Sequence, residues 1–313
     1  MSNTAQSIIR VSGLTKSFGK KEVLKGVDFE VRAGEIFSLL GSNGAGKTTT
    51  IKILSTLLKK DVGEVSIAGH DLAKNPKGVR GAISLTGQYA AVDENLTGKE
   101  NLHLIGKLRH IKDYKQKSDE LLTRFELAPA ADKRTKAYSG GMRRKLDLAM
   151  SLLGDPKIIF LDEPTTGLDP QSRLALWRVI KDLAKSGVTI LLTTQYLEEA
   201  ETLSDYVAVL DNGRVVTAGT VEKLKSILPA RKVELTIGSI QEFDKVVDLL
   251  DGYQITADRD SLIIAITIDD GIDMLTDILD VLKDNGITVK RLDKRSPSLE
   301  DVFLSLIAKS GAQ

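Results

Sequence analysis

A chain of 313 residues with 42% apolar content can bury one large domain and a smaller one. It has no cysteine and three histidines (His70, His103, His110). That excludes disulfides, thiol catalysis and cysteine zinc sites, and it leaves too little for a histidine-rich metal centre. The net charge of +1 conceals an asymmetry: residues 229–313 carry 10 Lys/Arg against 16 Asp/Glu, and the first 228 carry 34 against 27. The positive excess suits anionic small ligands and is too slight for nucleic acid.

The amino-terminal MSNTAQSIIR lacks a charged start followed by an apolar stretch, and no run of 18 apolar residues occurs. Neither a secretory signal nor a membrane span is therefore expected. The first strong element is Ile36–Leu40, an apolar strand running into Gly41-Ser42-Asn43-Gly44-Ala45-Gly46-Lys47-Thr48 and then Thr49. This matches G-x-x-x-x-G-K-[ST] in the order strand, loop, helix. The glycines let backbone N–H groups turn toward one point, and a helix starting at Lys47 aims its positive end there. Lys47 can then reach the β- and γ-phosphates of a nucleotide, and Thr48 can ligate Mg2+. A glycine-rich turn that only caps a helix is the structural alternative.

Residues 89–137 read as largely helical with polar ends. At Ser139-Gly140-Gly141 a turn opens a helix whose apolar side includes Leu146, Ala149 and Met150. Ser139 can cap it, which makes a second anion site. The basic run Arg143-Arg144-Lys145 reads as a solvated helix face near phosphates rather than a nucleic-acid patch. The strand Ile158–Leu161 delivers Asp162 and Glu163. Neighbours on an extended chain point opposite ways, so the two carboxylates can divide two tasks, Asp162 toward Mg2+-bound water and Glu163 toward the attacking water as its base. A helix over 171–185 places Leu174, Trp177, Ile180 and Leu183 on one face, with the tryptophan filling core. The strand Thr189–Leu192 runs through two threonines to Gln195, which either faces the transferred phosphoryl group or caps a helix from Tyr196. The Gln195 amide can donate to a γ-oxygen but cannot shuttle a proton. Asp211-Asn212-Gly213 marks a hairpin. The strands at 36, 158 and 189 do not alternate, which predicts a parallel sheet buried on both faces.

A boundary falls near Leu228–Pro229. Beyond it come a strand at 233–237, a helix at 241–250, strands at 253–257 and 262–268, a helix at 271–283, a strand at 287–292 and a last helix at 299–308. The order β-α-β-β-α-β suggests a ferredoxin-like module. It offers no catalytic constellation, so a regulatory, dimerising or docking role stands beside a purely stabilising one. The larger part poses a puzzle, since one nucleotide does not need both the Lys47 and the Ser139 helix starts. A head-to-tail pair of chains, each Ser-Gly-Gly capping the other's γ-phosphate, uses both.

The set of motifs, in this order over roughly residues 8–225, resembles the ATP-binding subunit of ATP-binding-cassette (ABC) transporters. Residues 41–48 look like the Walker A loop, IIFLDEP like the Walker B strand and Thr166-Gly-Leu-Asp169 like the D-loop. YSGGM corresponds to the LSGGQ signature, with Tyr138 and Met142 as departures. Gln88 in SLTGQY looks like the Q-loop glutamine, and Phe18 in LTKSFG like the aromatic that stacks on adenine, unless Phe18 is a core residue. TTQYLEEAE, GRVVTAGT and Pro297–Leu306 resemble the daunorubicin/doxorubicin-resistance type of exporter ATPase, in which glutamine replaces the usual histidine at Gln195.

The resemblance implies an α/β P-loop domain over 1–228, with a helical subdomain at about 89–155, and a small α+β ferredoxin-like domain over 229–313. It implies ATP bound by Phe18 and by Gly41, Ser42, Asn43, Gly44, Ala45, Gly46, Lys47, Thr48 and Thr49. Mg2+ would be held by Thr48, Gln88 and Asp162, and catalysis would fall to Lys47, Glu163 and Gln195. Ser139, Gly140 and Gly141 would act on a partner's ATP, and Asp169 would be the D-loop aspartate. It implies a homodimer or a pair with a similar subunit, no nucleic acid, and a separate transmembrane permease that receives the 89–137 surface at the cytoplasmic face. Export of a drug-like, antibiotic or lipidic substrate follows. A soluble ABC ATPase working on a non-transport partner is the alternative. A nucleotide switch without turnover is a third reading, against which Glu163 argues.

Overall fold

The computed structural model describes residues 7–227, 231–268, 272–295 and 298–303. It divides into two compact units, Met1–Val221 and Glu222–Gln313; the expected boundary residues Leu228 and Pro229 lie outside the described residues. The first unit begins with β1 (Ser7–Phe18), β2 (Lys21–Arg32) and β3 (Ile36–Leu40), followed by α1 (Lys47–Leu54). Next come β4 (Val62–Ile67), β5 (His70–Asp71), α2 (Pro76–Ala82) and β6 (Ile83–Thr86). A helical region follows: α3 (Gly98–Leu108), α4 (Tyr114–Arg124) and α5 (Gly140–Leu152). The chain then runs through β7 (Ile158–Asp162), α6 (Pro170–Lys185), β8 (Thr189–Thr194), α7 (Leu197–Leu203), β9 (Tyr206–Asp211) and β10 (Arg214–Gly219).

Two sheets organise these elements. One is antiparallel, in the order β2-β1-β4-β5. The other has the order β10-β9-β3-β8-β7-β6, parallel except for the terminal β9–β10 hairpin. Its central strands are buried at every position, and the two-residue period explains why they read as unbroken apolar runs. Phe37, Leu39, Ile158, Phe160 and Leu191 enter a core shared with α1 and the antiparallel sheet. Their neighbours Ile36, Ile159, Leu161, Ile190 and Leu192 enter a second core with α3–α6. Each side is covered, so apolar residues fill most positions, with Ser38 in β3 and the threonines of β8 as buried polar exceptions, and each fully buried apolar side chain of this size contributes roughly 1.5–3 kcal/mol. The β9–β10 turn places Asn212 and Gly213 at φ 46° and 79°, as a two-residue type I′ loop requires.

Two expectations need correction. Leu174 is 48% exposed, and Leu176 joins Trp177, Ile180 and Leu183 in the core instead. Residues spaced by three drift backward around a helix of 3.6 residues per turn, and nine residues separate Leu174 from Leu183, which sets them on opposite sides. Residues 89–137 are helical over α3 and α4, with short 3₁₀ turns at Ala128–Ala130 and Thr135–Ala137, but irregular from 89 to 96. There, Asn101 ties down the loop: its Nδ2 donates to the Asp93 and Thr97 carbonyls and its Oδ1 accepts from Asp93 N–H.

The second unit begins within α8 (Val221–Lys225) and contains β11 (Arg231–Ile237), α9 (Ile240–Leu249), β12 (Ile255–Asp258), β13 (Ile263–Ile268), α10 (Ile272–Asp284) and β14 (Val289–Arg295). Its antiparallel sheet runs β12-β13-β11-β14, the strand order of a ferredoxin-like fold. Val233, Leu235 and Ile237 alternate into its core beside Phe243, Val246, Ile278 and Leu282. Residues 299–303 are helical; the rest of the helix expected to Ala308, and Pro297 and residues 304–306 of the carboxyl-terminal motif, lie outside the described residues.

Candidate phosphate-binding and catalytic site

The glycine-rich loop sits where β3 ends and α1 begins. Gly44 and Gly46 adopt φ 85° and 111°, a left-handed backbone that suits glycine. A Cβ on Gly41 would lie 2.3 Å from the Leu210 carbonyl oxygen, so the loop can approach β9 only without one. The hairpin tip braces it from outside, Gly213 N–H donating to the Ala45 carbonyl at 3.2 Å. The first intrahelical bond of α1 runs from Thr50 N–H to the Gly46 carbonyl, and no acidic residue occupies its first turn. The N–H groups ahead of Thr50 and the positive helix end therefore remain available to an anion. They face a cavity of about 610 Å³ lined by residues 42–49, Gln88 and Glu163 on one side and by Lys21, Glu22, Val23, Lys25, Asp211 and Asn212 on the other.

Lys47 is 4% exposed. Its ammonium donates to the Gly41 and Ser42 carbonyls at 2.9 and 3.0 Å and stands 3.3 Å from Glu163 Oε1. Behind Thr48 lies Asp162, whose Oδ1 accepts from Thr48 Oγ1 at 3.2 Å and from Thr193 Oγ1 at 2.6 Å. A hydroxyl and a carboxylate placed together are the hard oxygen donors that Mg2+ prefers. Among the described residues no group of three or more His, Cys, Asp or Glu could hold a metal ion.

The separation of the two carboxylates has a different origin from the one expected. β7 ends at Asp162, and Glu163 turns away through a left-handed conformation, φ 48°. A strained turn, not strand alternation, divides the pair. Glu163 N–H is held by the carbonyl and hydroxyl of Thr193, each at 3.1 Å, and Thr166 Oγ1 donates to Glu163 Oε2 at 3.4 Å.

The other expected residues are distributed around this centre. Gln88 is exposed and lines the cavity. Gln195 is half-buried at the end of β8 and does not line it. The capping alternative for Gln195 fails, because Tyr196 is the N-cap of α7 and the Thr194 hydroxyl takes Tyr196 N–H at 2.9 Å. Phe18 is 50% exposed under the Lys16 ammonium, so it is not a core residue, and it too stays outside the cavity lining, although its cross-strand partner Lys21 belongs to it. Ser139 caps α5 by accepting Met142 N–H. Ser139, Gly140 and Gly141 do not line the cavity of their own chain. Asp169 caps α6, accepting from Ser172 N–H and Oγ at 2.9 and 2.6 Å, which holds its carboxyl below the usual range.

The basic run after the signature is not one solvated face. Arg143 and Lys145 pair with Glu94 and Glu126 at the surface, but Arg144 is 5% exposed. Its guanidinium faces backbone carbonyls from two segments beside the site and the carboxylate of Asp147 at 3.6 Å. Burial pushes the Asp147 carboxyl up to about 6. Sequence reading also missed Glu199, fully buried, whose Oε1 accepts from Thr165 Oγ1 and Trp177 Nε1 at 2.8 and 3.0 Å. Burial raises its pKa as well. Trp177 therefore holds a polar partner besides filling the core. Tyr138, a departure from the signature, is buried and donates to the Ala130 carbonyl at 2.7 Å.

A family model described as ABC transporter matches residues 24–166. A daunorubicin resistance ATP-binding protein of Streptomyces coeruleorubidus, DrrA3, is 42% identical over 304 residues, 96% of each chain. A doxorubicin resistance ATP-binding protein of Mycobacterium tuberculosis is 40% identical over 98% of this chain and 95% of its own. A linearmycin resistance ATP-binding protein of Bacillus subtilis is 32% identical over 97% and 99%. Among solved structures, an ATP-binding subunit of an ABC transporter is 32% identical with a TM-score of 0.63, covering 71% of this chain and 93% of that one. An ATP-binding cassette in its ADP conformation is 27% identical with a TM-score of 0.64, covering 70% and 92%.

Proposed function

We propose, for a chain that belongs to the ATP-binding subunits of the ABC transporter family, that two such subunits close head to tail around two ATP molecules and thereby drive a separate membrane permease. The chain is an ATPase. The observation that carries the two-chain reading is the division of anion sites: the residue 42–49 loop, Gln88 and Glu163 line one cavity, and Ser139–Gly141 does not reach it. A signature that stands outside the cavity of its own chain is free to cap a partner's nucleotide.

In this reading the loop N–H groups and Lys47 bind the phosphates, and Lys47 leaves Glu163 to do so. Glu163, released, accepts the proton of the attacking water. Gln195 positions the γ-phosphoryl group through its amide. Thr48, Asp162 and Gln88 would hold Mg2+, which supplies charge neutralisation for the phosphates. Phe18 and the Lys21–Lys25 strand flank the base end. Asp169, exposed at the start of α6, lies at the junction between subunits. Residues 229–313 form an accessory unit with a regulatory or docking role.

No helix among the described residues is long and apolar enough to cross a membrane, so the transport reading needs a second protein, with this chain bound at its cytoplasmic face. The full-length relatives named for drug and antibiotic resistance favour export of a drug-like, antibiotic or lipidic substrate. Affinity purification from membranes tests this. Recovery of a small polytopic membrane protein whose reconstitution with this chain gives ATP-dependent export supports the reading; a soluble ribosomal or DNA-bound partner with no membrane protein overturns it.

A further inference from the structure

We propose that Arg144 and Asp147 are positioning residues: together they clasp the loop that carries Gln88 and fix it to the backbone behind Glu163. The proposal rests on the reading of Glu163 as base and Gln88 as phosphate-side ligand. It assigns a task to two buried side chains that make no contact with the cavity.

Both residues stand on α5, one turn apart. Arg144 Nη1 donates to the Gly87 carbonyl on one side of Gln88, and Asp147 Oδ1 accepts Ala91 N–H at 3.2 Å on the other. The segment between these anchors projects outward, with Tyr89 90% exposed. The same guanidinium reaches the catalytic strand: Nε donates to the Pro164 carbonyl at 2.7 Å, and Nη2 to the Glu163 and Asp162 carbonyls at 3.3 and 3.5 Å. One planar fork thus joins three segments, namely the helix that begins at the signature, the Gln88 loop and the end of β7. Only arginine has enough rigidly disposed donors for this; a lysine ammonium on a flexible stem cannot address both sides at once.

Stability alone is a poor reason for such a pair. A buried ion pair can often be replaced by apolar residues without loss, because desolvation offsets its attraction. Here the donors go to backbone of other segments, and Asp147 Oδ2 makes no hydrogen bond of its own. An arrangement of this kind fixes relative position. A shift of α5, which carries Ser139 at its start, is passed through Arg144 to the Gln88 loop and to the carbonyls flanking Glu163. Closure against a partner and alignment of the base then become one movement.

The test uses the full chain and the variants Arg144→Lys, Asp147→Ala, the double variant and Glu163→Gln. A fluorescent ATP analogue gives the dissociation constant, phosphate release gives kcat and KM, and hydrogen exchange reads residues 87–91. Both single variants should keep nucleotide affinity within about twofold while kcat falls about ten- to a hundredfold, the signature of misplacement without lost binding. Exchange should quicken at 87–91, and the double variant should be no worse than the poorer single one, because both act on one loop. If Arg144→Lys does not fold, Asp147→Ala alone decides. Wild-type kcat in a folded Asp147→Ala, or equal loss of affinity and kcat, overturns the proposal. If Glu163→Gln itself retains turnover, it is the underlying assignment of the base that fails.

Discussion

Lys47 and Glu163 stand 3.3 Å apart in a place where neither meets much water. A phosphate that takes the ammonium must displace the carboxylate, so the two residues should respond oppositely to substitution. Lys47→Ala removes the cation at the centre of the cradle and leaves Glu163 with the Thr166 hydroxyl at 3.4 Å. The nucleotide-free protein should lose up to about 3–5 kcal/mol, the range for breaking one side of a buried pair. Glu163→Gln keeps the shape and removes the competitor. The response to ATP separates the two whatever their baselines. At a hundred times Kd, a ligand that binds only the folded state stabilises it by about 2.7 kcal/mol. In a domain of this size that is a rise in Tm of about 5–10 °C. Wild type and Glu163→Gln should show it in thermal unfolding with ATP, and Lys47→Ala should not. With Mg2+ added, Glu163→Gln should release no phosphate and should elute from gel filtration as a dimer. A full thermal shift in Lys47→Ala, or near-normal phosphate release by Glu163→Gln, would refute this account of the pair.

Gln195→Ala should lose most turnover with little change in ATP affinity, whereas Gln195→His should stay active and alone acquire a pH dependence near neutrality; steady-state rates across pH decide, and wild-type turnover in the alanine variant removes Gln195 from the mechanism. Gly140→Asp should bind ATP yet fail to hydrolyse it, because a carboxylate then meets a partner's phosphate. A Cβ there has room, with Leu168 3.6 Å away, whereas at Gly141 it would meet Ser172 Oγ at 2.6 Å and disturb the α6 cap. Mixed with Lys47→Ala, Gly140→Asp should regain one competent site per pair, and unchanged hydrolysis by Gly140→Asp alone would exclude the two-chain site. For Asp147, whose carboxyl is raised from 3.8 to about 6 in the folded state, the protonated form favours folding. Its contribution is complete below about pH 4 and is lost as pH rises through about 6, a swing of up to about 3 kcal/mol. Denaturant unfolding of wild type across this window, compared with Asp147→Asn, should show the difference; parallel profiles would contradict it.

What could be read from the sequence was what its local pattern determines. IFSLL before GSNGAGKT fixes a strand end, a glycine turn and a helix start within thirteen residues, and the contacts that complete the cradle follow from that backbone. Asn212-Gly213 fixes its hairpin in the same way, since few other dipeptides accept two positive φ angles. Counting in threes misplaces Leu174, because a helix advances in steps of 3.6. Strand alternation does not account for the Asp162–Glu163 divergence, and the left-handed turn that does leaves no mark in an apolar run followed by two acids.

Arg144 marks the boundary of that legibility most sharply. Its neighbours Arg143 and Lys145 carry the same charge and lie at the surface, so composition assigns all three to one solvated face. Helix geometry separates them by about 100° per residue and turns one of the three inward, but geometry does not make burying a guanidinium tolerable. Its acceptors do: the Gly87 carbonyl 57 residues before it and the Pro164 carbonyl 20 residues after it. Those carbonyls lack partners of their own because one follows the end of an edge strand, β6, and the other follows the left-handed Glu163. A chain that breaks its backbone pairing at two places, beside the cavity-lining Gln88 and Glu163, must satisfy the freed carbonyls from elsewhere. A single buried arginine on the helix lying over both breaks does so, and its position in the sequence reflects a demand set by residues that are far from it along the chain.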